Sequence, residues 1–123
     1  MNFLPAEAAD DGLRVAGHRV AAAPAALRGL GPLTLGVRPE YVTLAAVEAE
    51  GAVRGTVTRA QDIGTYWLVT AQVGDDAASV VRARLGSHGP VPKAGDAAWL
   101  RIVGPRTCFY GADQNLVFEG AAA

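Results

Sequence analysis

Glycine and proline punctuate this chain so often that little regular structure beyond a short strand fits between them. The 123 residues hold 15 glycines and 7 prolines. Between these breaks lie short runs rich in Val, Ile, Thr and aromatic residues, which suit a pleated, half-buried surface. The strongest is residues 65–73, TYWLVTAQV, closed by Gly74-Asp75-Asp76. Residues 52–60 alternate in part, with Gly55 marking a bulge or bend, and 61–64 supply the turn between these two strands. Residues 79–85 put Val81, Ala83 and Leu85 on one face and Arg82 and Arg84 on the other. A loop over 86–95, a strand over 97–103 ended by Pro105, a short strand or aromatic plug over 107–110 and a closing strand over 115–118 complete the series. No segment is long enough for a crossover helix. The pattern therefore predicts an all-β chain, a small barrel or sandwich, with seven or so short strands after Leu33.

The series is organised around residues 33–44, LTLGVRPEYVTL. They read as a short apolar strand, a glycine turn, a tight Arg38-Pro39-Glu40 corner and a second apolar run. Pro39 fixes its own φ and favours extended backbone at Arg38. It can open one helical turn with Glu40 at its start, where a carboxylate is favourable by a few tenths up to about 1 kcal/mol. Tyr41 and Val42 are then expected to point back into the core. The corner joins two strands, and Arg38 or Glu40 is placed to contact a partner.

The N-terminal third is less regular. Residues 1–5, MNFLP, show neither a helix nor a strand period and predict an edge strand or an anchor. They read as the interior of a longer chain, with a native start as the alternative. Asp11-Gly12 is a turn signal, and 13–20 predict a hairpin or a bent strand around Gly17. Residues 21–32 predict a linker or a single helical turn after Pro24.

Several chemistries find no support. Formal net charge is −1, with no basic excess to concentrate phosphates. A lone Cys108 rules out an internal disulfide and reads as a buried small hydrophobe. His18 reads as a surface or edge-strand residue and His88 as a loop residue, neither at metal-ligand spacing. Ser79, His88 and Asp96 lack a nucleophile elbow, and no phosphate loop is present. The chain is not expected to be an enzyme or to carry a cofactor. No apolar run nears the roughly 20 residues that cross a bilayer, and no secretory signal opens the chain, so a cytoplasmic location is expected. Two features point to binding. Arg54, Arg59, Arg82 and Arg84 are placed to share an outer sheet face, as an anion site or as a solvated face balanced by acids elsewhere. Tyr66, Trp67, Trp99, Phe109 and Tyr110 are many aromatics for so alanine-rich a chain; some are expected in the core, and any left exposed predict a protein interface.

Leu35-Gly36-Val37-Arg38-Pro39-Glu40-Tyr41 resembles the most recognisable motif of the TOBE domain, an oligonucleotide-binding-like barrel. That domain lies in the C-terminal regulatory region of the ATP-binding subunits of bacterial sugar and glycerol-phosphate importers, the maltose-importer class. Met1-Asn2-Phe3-Leu4 resembles the segment where such chains leave the ATPase domain. Gly51 to Val57, Ile63-Gly64-Thr65, Gly95-Asp96 through Ile102, Cys108-Phe109 and Asn115 to Phe118 resemble its later strands and turns. The departures are Tyr41 where the family often has His, Tyr66 where it commonly has a carboxylate, and Tyr110 where it often has Asp. The resemblance implies a TOBE-type barrel over 33–120, N-terminal strands and linker over 1–32 packed on it, and a frayed tail at 121–123. It implies a non-catalytic regulatory and dimerisation domain of an ABC importer, with ATP hydrolysis in an upstream domain of the same parent chain. A small-ligand or oxyanion-binding barrel is the alternative. The partners implied are a second copy, the ATPase domain, indirectly the permease subunits, and in some members a regulatory protein or small ligand. Nucleic acid is not among them. The location implied is cytoplasmic, peripheral to the inner membrane. The interface residues expected are Arg38, Pro39, Glu40, Tyr41, Tyr66, Trp67, Phe109 and Tyr110.

Overall fold

The computed structural model describes residues 1–45, 47–48, 51–74, 79–86 and 91–119. His88, the Asp75-Asp76 turn and the tail at 121–123 lie outside them. The strands in chain order are β1 (Asn2–Ala9), β2 (Gly12–Val15), β3 (His18–Ala21), β4 (Leu33–Val37), β5 (Thr43–Ala45), β6 (Ala52–Asp62), β7 (Tyr66–Val73), β8 (Val80–Gly86), β9 (Ala97–Arg101), β10 (Cys108–Tyr110) and β11 (Leu116–Glu119). Single 3₁₀ turns at Ala25–Leu27 and Pro39–Tyr41 complete the list, with no α-helix among the described residues. The chain is all-β, as its punctuation predicts. It forms two antiparallel sheets in a barrel-type arrangement, ordered β11-β10-β4-β1-β2-β3 and β5-β9-β6-β7-β8.

β1 is an inner strand, paired with β4 over Asn2–Ala6 and with β2 over Ala6–Ala9. Its alternation is plain once seen: Asn2, Leu4 and Ala6 are buried, while Phe3, Pro5 and Glu7 are exposed. A proline normally argues against an inner strand, because it cannot donate to the ladder. Here the Pro5 carbonyl accepts from Ala16 N at 3.0 Å. The missing N–H of Pro5 therefore faces the same side, where β2 has already given way to its turn. β2 and β3 form the predicted hairpin, closed by Ala16 and Gly17 at φ 52° and 85°. Positive φ at both central residues matches the right-handed twist of the strands.

One core serves both sheets. Leu4, Leu13, Val15 and Leu27 from the N-terminal third pack in the same cluster as Leu35, Val53, Leu100 and Phe109. Each such large side chain contributes about 1.5–3 kcal/mol by leaving water. Two seams join the sheets. The Asn2 side chain donates to Arg82 O at 2.8 Å and accepts from Arg82 N at 2.9 Å. The amide thus imitates a strand pair and satisfies the edge of β8 across 80 positions of sequence. At the second seam Gly51 N donates to Val20 O, and Gly51 O accepts from Ile102 N and Val103 N. Gly51 sits at φ 81°, and a Cβ there would lie 2.7 Å from Val103 O.

Three local expectations need correction. Gly36 is not a turn but a residue inside β4. The bulge of β6 lies at Thr58, not at Gly55. The register steps from Val57↔Ala71 to Arg59↔Thr70, and Thr58 Oγ1 donates to Thr70 O at 3.2 Å. Gly55 instead permits close approach, since a Cβ there would meet Leu100 Cδ1 at 2.8 Å and Gln72 O at 2.9 Å. Val42 turns into the core as expected, but Tyr41 does not and stays 45% exposed.

Candidate interaction surfaces

The Arg38–Tyr41 corner forms as its sequence dictates. Arg38 is extended (φ −76°, ψ 146°), and Pro39 starts a 3₁₀ turn with Glu40 in its first turn. Tyr41 N donates to Arg38 O at 3.0 Å and Val42 N to Pro39 O at 3.2 Å. Burial of Val42 then pins the turn to the core. The Tyr41 ring is left outside, with the Arg106 guanidinium 5.6 Å from its centroid. Arg106 is held there by the 104–107 turn. Thr107 Oγ1 donates to Ile102 O at 2.6 Å and accepts from Gly104 N at 2.9 Å.

Two hollows flank Tyr41. One, of about 250 Å³, is bordered by Tyr41, Arg101, Arg106 and the 102–105 backbone. The other is open and is bordered by Met1, Arg38, Arg106, Cys108, Tyr110 and Leu116. Cys108 is thus half-buried on this outer side rather than in the core. No carboxylate pairs with Arg38, Arg101 or Arg106 among the described residues.

Beside the second hollow the six-stranded sheet shows solvent an apolar face. Opposed residues of a sheet point the same way. Phe3, Gly36 and Cys108 form one row, and Pro5, Thr34, Tyr110 and Leu116 the next. Gly36 is the floor of this patch. A Cβ there would lie 3.1 Å from Met1 Sδ and from Tyr110 Cε2, and 3.3 Å from Phe3 Cε1. Phe3 and Tyr110 meet edge to face at 6.4 Å, yet Phe3 is 58% exposed. Contiguous exposed apolar side chains on a folded chain mark a contact surface.

The residues expected at an interface are therefore divided. Arg38, Tyr41 and Tyr110 border the hollow beside the apolar face, and Pro39 opens the turn between Arg38 and Tyr41. Glu40 turns toward the other sheet, where it borders a hollow with Tyr66 and Arg84. The Arg84 guanidinium lies 4.0 Å over the Tyr66 ring. Trp67 is elsewhere again, against Thr58, Ala60 and the 91–94 segment. Phe109 is withdrawn from the set: it is 0% exposed, among the largest core side chains. Strand alternation next to Tyr110 forces this, since neighbours in a strand take opposite faces. Met1, Phe3, Leu116 and Arg106 were not expected. The exposed phase of Phe3 and Pro5 is the signal the sequence carries, masked because Pro5 interrupts the strand pattern.

The four arginines expected on one sheet face do share it. Arg54 opposes Trp99, Arg59 and Arg82 flank Thr70, and Arg84 opposes Leu68. All four are exposed. The bulge at Thr58 is what brings Arg59 outward, because unbroken alternation from Val57 would turn it inward. No group of three His, Cys, Asp or Glu side chains is placed to hold a metal ion among the described residues. His18, exposed at the start of edge strand β3, has no such company.

Comparison with known families matches the TOBE domain over residues 35–108. The chain belongs to the TOBE domain family. The match spans more than half of it, from within β4 to the first residue of β10, and so contains the corner and the whole five-stranded sheet. Strands β1 to β3 and β11 lie outside the matched TOBE segment. No curated protein matches the chain.

Proposed function

We propose that this TOBE domain is the regulatory and dimerisation part of an ABC importer ATP-binding subunit of the sugar or glycerol-phosphate type. TOBE domains occur in the regulatory C-termini of ABC transporter ATPases. ATP hydrolysis would reside in a preceding domain of the parent subunit, acting at the cytoplasmic side of the inner membrane beneath the permease. The domain itself would contribute contacts rather than chemistry. The observation that carries this reading is the apolar face floored by Gly36, beside the Arg38–Tyr41 corner of the family motif. A surface that meets its own copy across a two-fold axis must be self-complementary, and apolar side chains meet that condition without opposing like charges.

Sedimentation velocity over a wide concentration range tests it. The chain should show a monomer–dimer equilibrium. The double change Phe3→Asp with Leu116→Asp should leave monomer, with circular dichroism and melting midpoint unchanged. A chain that stays monomeric at the highest attainable concentration overturns dimerisation through this face. The oxyanion-binding reading has one observation in its favour, Arg101 and Arg106 bordering the same hollow. Saturable binding of molybdate or sulfate abolished by Arg106→Gln would establish it.

A further inference from the structure

The outer face of the five-stranded sheet carries more positive charge than the sequence suggested. Arg101, on β9 opposite Thr43 and Ala52, joins Arg54, Arg59, Arg82 and Arg84. Tyr66, Thr70 and Trp99 stand among them, and the remaining outward positions of β5 to β9 are uncharged. No Asp or Glu is on that face among the described residues. Glu40 stands at its rim, beside Arg84 and Tyr66, and forms no ion pair there. A chain of formal net charge −1 has therefore collected five cations on one side. Like charges this close repel, so the arrangement is unfavourable for the isolated chain and becomes favourable against an anionic surface.

We infer that this face docks a carboxylate-rich protein segment. Three features favour that partner over other polyanions. All five cations are arginine, whose planar fork pairs with a carboxylate bidentately, as a lysine ammonium does not. Arginine with Trp99 and Tyr66 is also the composition of protein interfaces, which enrich Arg, Trp and Tyr. Second, the spacing suits an extended acidic peptide. Arg82 and Arg84 are two residues apart on one strand, about 6.8 Å, the repeat of side chains on one face of any extended chain. Arg59 and Arg82 are separated by two strand spacings, about 10 Å, leaving the Thr70 hydroxyl between them. Third, a single-stranded nucleic acid needs open aromatic faces on which to stack its bases. The Tyr66 ring is covered by Arg84 at 4.0 Å.

Fluorescence anisotropy of labelled poly-L-glutamate, titrated with the chain at low salt, tests the inference. Binding should weaken steeply as salt is added. The triple variant Arg54→Gln, Arg59→Gln, Arg82→Gln should lose at least about tenfold in affinity, roughly 1.4 kcal/mol, with an unchanged melting midpoint. The corresponding Lys variant should bind more weakly than the native chain but better than the Gln variant. Arg28→Gln, on the exposed segment after the first 3₁₀ turn, should bind as the native chain does. Absence of binding at low salt overturns the inference, as does equal binding by the native and Gln chains. Equal or tighter binding of oligothymidylate, or of phosphatidylserine vesicles, also overturns it and assigns the face to that class instead.

Discussion

The two outer faces of this molecule stand over one core and obey one alternation, yet they present opposite chemistry. The six-stranded sheet shows Met1, Phe3, Tyr110 and Leu116 around the bare backbone of Gly36. The five-stranded sheet shows five arginines spaced by Thr, Gln and aromatic side chains. The faces also differ in origin. The cationic face comes from the continuous stretch between Thr43 and Gly86 with β9 added, all inside the family match. The apolar face is assembled from both ends of the described chain, β1 and β11, brought to either side of β4 and β10. The comparison shows that strand alternation settles which residues leave the core, while sheet order settles which of them become neighbours.

The premise that one core supports both faces is open to the most damaging test. Phe109→Ala should destabilise the chain by about 3–5 kcal/mol. In urea, NMR signals of Tyr110 on one face and Trp99 on the other should be lost in a single transition. Separate transitions would mean that the sheets fold as two units. The next effect in size falls on the seam. Asn2→Ala strips both partners from the Arg82 backbone and should cost about 1–3 kcal/mol. It should also speed amide exchange at Arg82 more than at Leu100, a buried residue of β9, which β6 and β7 separate from β8.

Smaller effects sharpen the contrast between the faces themselves. Gly36→Ala gains about 0.5–1 kcal/mol of strand propensity, offset by displacing Met1 and the Tyr110 ring edge. Its melting midpoint should therefore move little, while self-association measured by sedimentation should weaken severalfold. Arg59→Gln on the other sheet should leave self-association untouched. The smallest effects are electrostatic and belong to exposed turns of the six-stranded sheet. A hydrogen bond from the Arg14 side chain holds the Asp11 carboxyl below its ordinary range, and the Asn115 backbone N–H does the same for Asp113. A depressed folded-state value stabilises the fold above the unfolded carboxylate value, and this is lost as pH falls through the folded one. NMR titration should place both midpoints low, with Arg14→Ala returning Asp11, but not Asp113, toward its ordinary value.

Much of the fold was legible because its signals are local. The Asp11-Gly12 turn, the hairpin at Gly17, strands β4, β7 and β8 and the Pro39 corner follow from backbone preferences of a few adjacent residues. What stayed hidden depends on distant partners. The phase of residues 1–5 was obscured by Pro5, which an inner strand tolerates only because β2 ends beside it. Gly36 and Gly55 look like breaks, and both are sites of close approach whose neighbours come from other strands. Phe109 and Tyr110 are equally aromatic, and nothing local assigned one to the core and the other to the surface.

By itself the sequence determined that this chain is all-β, where most of its turns fall, and that Arg82 and Arg84 would leave the core together on one strand face. Only the tertiary structure decided that Asn2 would seal the edge of β8, that a one-residue bulge would turn Arg59 outward, and that the two ends of the described chain would build an apolar face. The physical reason is range. Turn and strand preferences are set by sterics within a few residues, whereas sheet order, seams and shared surfaces are set by which distant segments bury one another's side chains and satisfy one another's backbone.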